Sequence, residues 1–306
     1  MPDLSTANLW KIIGSTPMVA LRYSYGGGLE QQVLVKCEQY NLTGSITDRV
    51  ALYILQKAQE QGDLHSGDLI VEASAGDSGL SYAAVGKALG FRVLIIMPDT
   101  VSLEHRAAIK AKGAGIKLAG KTEAPVKLAE AMAHLDGIFL PKRFAEKWRV
   151  EAHEQTTGRE IGHFLLLEEL SPSALVMGVK SGAAITGISR YLHKVFPDML
   201  VKTVQVSDSP TLVDFARFGQ PLTLACGDAL VLQQKLAGEL RLEVGATSAV
   251  NLLGAIKWQQ EYGQNKTVLT VFPDSCKKKN TDQVQVLPSY LSAGIDLLGY
   301  QVLAKI

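Results

Sequence analysis

Short apolar runs alternate with longer stretches of helical periodicity along most of the 306 residues. Val33-Leu34-Val35 opens the series, and a helical pattern follows over 48–61. Leu69-Ile70-Val71 precedes a small-residue helix over 80–89, and the run at 93–97 precedes a helix over 104–112. Ile116-Lys117-Leu118 leads to a helix over 124–134, and Ile138-Phe139-Leu140 closes this half. After a polar stretch at 142–153 the pattern resumes, with runs at 175–177, 203–206 and 268–271 separated by further helices. Uninterrupted β-branched runs of this length belong to strands buried on both faces, and intervening helices of ten residues or more supply the cover. The pattern predicts an α/β chain of two three-layer αβα domains with mainly parallel sheets. The division is expected at 36–148 for one domain and at 1–35 with 149–306 for the other.

Composition narrows the picture modestly. Hydrophobic residues make up 47% and charged residues 20%, which excludes a disordered chain. The net charge of +1 gives no electrostatic footprint for nucleic acid, and none is expected as a partner. The run Lys277-Lys278-Lys279 reads as a solvated loop. Cys37, Cys226 and Cys276 are too far apart in the chain for a CxxC pair or a disulfide framework, and a cytoplasmic setting is expected. No apolar run is long enough to span a bilayer, no secretory leader is read at the N terminus, and no histidine–cysteine cluster has metal spacing.

Ligands of open α/β sheets sit where strand ends lead into helices. Three such loops are rich in glycine and small hydroxyl residues: Asn41 to Arg49, Ala73 to Gly79 and Gly178 to Ala184. Backbone N–H groups at a helix start can hold an anion, and glycine allows close approach. Each loop alone is equally consistent with local capping. Ser45 with Asp48, for example, fits a capping box.

Together the loops resemble a family. Residues 13–19, IGSTPMV, are similar to the IGNTPLV opening of cysteine synthases, and NLTGSITDR at 41–49 resembles NPGGSVKDR. EASAGDSG at 72–79 resembles EATSGNTG, and MPDT at 97–100 with SLE at 102–104 resembles MPETMSLE. TTG at 156–158, GVKSGAAITG at 178–187 and FPDS at 272–275 follow in the family's order. The chain is thereby identified as a member of the cysteine synthase and cystathionine β-synthase family of fold-type-II pyridoxal-phosphate (PLP) enzymes, and is expected to be a degenerate one that lacks the Schiff-base lysine.

The resemblance also marks departures. In the family the lysine of SVKDR forms the Schiff base with PLP and moves the proton at the substrate α-carbon; here Thr47 stands there. A hydroxyl forms no imine and is no base at neutral pH. Asp77 stands for an asparagine that meets the cofactor's phenolic oxygen. In the phosphate loop Lys180 replaces a glycine and Ala184 a threonine, whereas Ser181 and Gly182 are kept, as is Ser275, which meets the pyridine nitrogen in the family. A glutamine pair near the substrate is Lys142-Arg143.

These departures lead to the expectation of a pseudoenzyme with no catalytic residue and no cofactor; the alternative is a PLP-dependent amino-acid enzyme, a cysteine-synthase-like transferase or lyase carrying out β-replacement, with PLP held non-covalently or through a relocated amine. The remnant pocket comprises Thr47, Asp77, Lys180, Ser181, Gly182, Ala184 and Ser275. Ser74, Ala75, Gly76, Ser78, Gly79, Lys142 and Arg143 form the loop set for a substrate or peptide. The family accepts the C-terminal tail of serine acetyltransferase in its cleft, so the expected ligand is an anionic molecule or a protein C-terminus. The resemblance also implies a homodimer, or a regulatory subunit of an active paralogue.

Overall fold

The structure is a computed structural model and describes residues 6–120, 124–207, 218–276 and 290–305. The Lys277-Lys278-Lys279 loop expectation lies outside these residues. The described strands are β1 (Pro17–Tyr25), β2 (Gln31–Cys37), β3 (Leu69–Ala73), β4 (Arg92–Pro98), β5 (Gly115–Ala119), β6 (Ile138–Phe139), β7 (Ala174–Gly178), β8 (Leu200–Val206), β9 (Leu222–Leu224), β10 (Val268–Phe272) and β11 (Ile295–Lys305). They fall into two sheets, and the chain divides into two compact units, Met1–Gly14 with Asn41–His153 and Ser15–Tyr40 with Glu154–Ile306.

In the first unit the order is β5-β4-β3-β6, all parallel. Successive strand residues point to opposite faces. Ile70, Val93, Ile95 and Met97 accordingly enter one core with Leu52, Leu55, Val85 and Ile109, whereas Val71 and Ile96 join Ala129 and Leu140 in another. The first core is covered by helices Thr47–Gln61, Asp77–Ala88 and Leu103–Ala111, and the second by Pro125–Met132. Each fully buried Val, Leu or Ile side chain contributes about 1.5–3 kcal/mol, so both faces have reason to be closed.

In the second unit the order is β11-β1-β2-β10-β7-β8-β9. β2, β10, β7, β8 and β9 run parallel, while β1 is antiparallel to both β2 and β11. Val33, Val35, Val176, Val204 and Val268 pack against Leu252, Leu253, Ile256 and Trp258 of helix Ala246–Tyr262. Leu34, Leu175 and Leu269 alternate with them and are buried as well. Ile185, Ile188 and Leu192 make the buried side of helix Ala183–Val195.

The expected boundaries differ from the division in the structure. Residues up to Gly14 belong to the first unit because Leu9 and Ile13 are buried in its core beside Val50 and Leu52. Residues 149–153 belong there too: Ala152 is part of the same core, and Glu151 is paired with Lys57 at 2.5 Å.

Candidate functional site

The candidate residues are distributed over both units. In the first, Gly44 takes a left-handed φ of 77° that turns the 41–49 segment into helix Thr47–Gln61. Asp48 is buried and accepts from Thr43, from N–H at 2.6 Å and from the hydroxyl at 2.7 Å. The expected Ser45–Asp48 capping box is therefore not formed. Asp48 closes the loop five residues back, and the hydroxyl of Ser45 accepts the N–H of Thr47 at 3.3 Å.

Thr47 is the first residue of its helix and is half-buried. Its Oγ1 lies 2.8 Å from Ser45 Oγ and 2.7 Å from Ser81 Oγ. Both serines are buried, at 1% and 0% exposure, so the three hydroxyls form a chain with buried ends. The family resemblance does not mark Ser81. Its only signal in the sequence is a small hydroxyl residue in the first turns of the predicted helix over 80–89.

The Ala73–Gly79 loop joins β3 to helix Asp77–Ala88. Ser74 Oγ accepts from Gly76 N at 3.2 Å and Gly79 N at 3.1 Å, so a side chain of the loop occupies two of its own donors. Gly79 packs where an added Cβ would lie 3.2 Å from Ile95. Asp77 and Ser78 are half-buried in the first helical turn, and Ala75 is exposed. Lys142 and Arg143 are exposed on the turn Pro141–Phe144. Lys142 is paired with Glu130 at 2.9 Å, and Arg143 donates to the carbonyl of Ala133 at 3.4 Å.

In the second unit the Gly178–Gly182 loop leaves β7 and enters helix Ala183–Val195. Asn251, fully buried, accepts from Gly178 N at 2.6 Å and donates to the carbonyl of Val271 at 2.7 Å, tying the ends of β7 and β10 together. Gly182 has a φ of 78°, and Ser181 Oγ accepts from Ala183 N at 3.5 Å. Lys180 is exposed and has no ion-pair partner among the described residues; Ala184 is half-buried. Ser275 is half-buried and bridges Val244. Next to it, Asp274 accepts from the Ser248 hydroxyl at 3.2 Å, and its carbonyl accepts Gly245 N at 3.0 Å. A Cβ on Gly245 would fall 2.4 Å from the Asp274 carboxylate, so any side chain there would displace that carboxylate.

The family model that matches residues 9–231 is described as "Pyridoxal-phosphate dependent enzyme". A cysteine synthase of Staphylococcus aureus is 30% identical over 292 residues, covering 88% of this chain and 93% of that protein. A probable cysteine synthase of Bacillus subtilis is 28% identical over 296 residues, covering 88% and 94%. The crystal structure of a hydrogen sulfide-producing enzyme from Fusobacterium nucleatum superposes with a TM-score of 0.88 at 31% identity, covering 97% of this chain and 98% of that one. The chain belongs to the family of PLP-dependent enzymes. Within that family it is cysteine-synthase-like, with the fold-type-II architecture.

That membership corrects the expectation that no cofactor belongs to this chain, since the family and its cysteine synthases are PLP-dependent. Ser181, Gly182 with its left-handed backbone, and the hydroxyl of Ser275 suit a phosphorylated ring. Position 47 does not suit its covalent attachment, because it offers a hydroxyl already bonded on both sides. Among the described residues no helix is long and apolar enough to cross a membrane.

Proposed function

We propose that this chain is a cysteine-synthase-like protein that has lost lysine-dependent β-replacement and serves as a non-covalent binder of an anionic ligand. The observation that carries this reading is the hydroxyl chain Ser45–Thr47–Ser81, which fills the position of the family's amine. A threonine hydroxyl neither attaches a carbonyl compound as an imine nor takes a proton from carbon near neutral pH. PLP supplies an electron sink when bound, but a base beside the reacting carbon must come from the protein, and residue 47 does not supply it. The cation of Lys180, beside Ser181 and Gly182, favours a phosphate or carboxylate on the ligand. The carboxylate of a protein C-terminus has the same chemistry, and a second copy or an active paralogue is the context in which such a ligand would act.

The test is cysteine formation from O-acetylserine and sulfide by protein purified from a host lacking its own synthases, with and without added PLP. No turnover in either condition is expected, together with thermal stabilisation by PLP or inorganic phosphate that is weakened by Lys180→Ala. Turnover with PLP refutes loss of the activity. Absence of stabilisation by any phosphorylated or carboxylate ligand refutes the anion-binding role.

A further inference from the structure

Three neighbouring parallel strands of the second unit, β10, β7 and β8, begin at Val268, Ala174 and Leu200. The segments leading into them are tied together by backbone hydrogen bonds. Ser173 N donates to the carbonyl of Thr267 at 2.8 Å, and Leu200 N donates to the carbonyl of Ser173 at 3.0 Å. The Gly178–Gly182 loop and Ser275 follow the opposite, carboxyl ends of β7 and β10. A five-residue strand such as β7 spans about 16 Å, so the two ends are separate places.

At the amino ends lies a cavity of about 500 Å³, a size that suits a small molecule. Phe196 and Leu200 give it an apolar wall. Asp198 and Lys266 are the two charged residues that line it among the described residues, and both are exposed. The Asp198 carboxylate has no hydrogen bond or ion pair among the described residues. The Lys266 ammonium is not paired with it and stands 5.7 Å from the centroid of the Trp258 ring. Trp258 also lines the cavity and is 0% exposed. Its indole N–H is buried without an acceptor, whereas Asn251 and Gln259, buried polar residues of the same helix, are hydrogen-bonded. A buried donor left unpaired is costly, and an acceptor on a ligand relieves that cost.

One cation, one anion, a spare N–H donor and an apolar wall complement a single ligand class. We propose that this cavity binds a free α-amino acid with an aliphatic side chain. The carboxylate of the ligand meets Lys266 and the indole N–H of Trp258, its ammonium meets Asp198, and its side chain packs on Phe196 and Leu200. A ligand with only a carboxylate leaves Asp198 unpaired beside a like charge, and one with only an amine does the same to Lys266. Neither position 47 nor Lys180 takes part, so the site stands whether or not the proposed function does.

The experiment is isothermal titration calorimetry of the full chain with L-leucine, 4-methylpentanoate and 3-methylbutylamine. The acid lacks the ammonium, and the amine lacks the carboxylate. L-Leucine should bind at least about threefold more tightly than either. Lys266→Met and Asp198→Asn should each weaken leucine binding by about threefold or more, and Lys180→Ala should leave it unchanged. The indole N–H resonance of Trp258 should shift as leucine saturates the chain. Absence of leucine binding up to about 10 mM, or equal affinity for the acid or the amine, overturns the proposal. Binding that ignores either Lys266→Met or Asp198→Asn, that is lost with Lys180→Ala, or that leaves the Trp258 resonance in place overturns it as well.

Discussion

The Thr47 hydroxyl holds two hydrogen bonds, and both are to buried serines. Thr47→Val keeps the shape and removes the hydroxyl, leaving Ser45 and Ser81 short of a partner. Destabilisation of about 1–3 kcal/mol in urea unfolding is expected, and a change near zero would show that the hydroxyl chain contributes nothing. Thr47→Lys alone should not restore cysteine formation, because Asp77 and Lys180 remain and the amine must enter beside the Ser45 and Ser81 hydroxyls. Steady-state assay with PLP checks this, and full activity from that one change would contradict it. The threonine in place of the family's lysine at position 47 was readable from the motif alone. The hydroxyl chain was not, since Ser81 stands 34 residues away from Thr47 and only folding brings them together. The same applies to Lys142: its charge was legible, but not its pairing with Glu130.

At the scale of elements, the loop after β7 is shaped by one buried amide and one left-handed glycine. Asn251→Leu removes the acceptor of Gly178 N and the donor to Val271 O, and a loss of about 2–4 kcal/mol is expected from the two bonds and the orphaned groups. Thermal unfolding together with phosphate binding would follow it, and the variant should lose both stability and affinity. A variant with unchanged binding would mean that Asn251 does not shape the loop. The parallel strands were legible because burial on both faces makes them continuous apolar runs, as in Ile70-Val71 and Ile95-Ile96. β1 and β11 were not. They pair antiparallel with two register shifts, β11 lies at the sheet edge with Leu298, Tyr300 and Val302 exposed, and Gly299 interrupts its run with a φ of 135°. An edge strand with bulges has no periodicity to betray it.

For the whole molecule, the two α/β units were legible as a repeated alternation, while their boundary was not. It depends on Leu9 and Ile13 finding a core formed by residues much further along the chain. Stability also has a pH profile. The Glu72 carboxyl is raised from 4.5 to about 7 in the folded chain, so the folded state binds more protons than the unfolded state across that window. Stability is therefore greatest below the unfolded value and falls as pH rises towards 7, by about 3 kcal/mol, and is then level. Glu72→Gln should flatten this part of the profile in denaturant unfolding. An equal slope in the variant would assign the pH dependence to other groups. The proposed loss of covalent cofactor attachment is tested most directly by incubating the full chain with PLP, reducing with borohydride and measuring the intact mass. The expected result is the unmodified chain, with PLP removed by dialysis. A single stoichiometric pyridoxyl adduct on any lysine would contradict it.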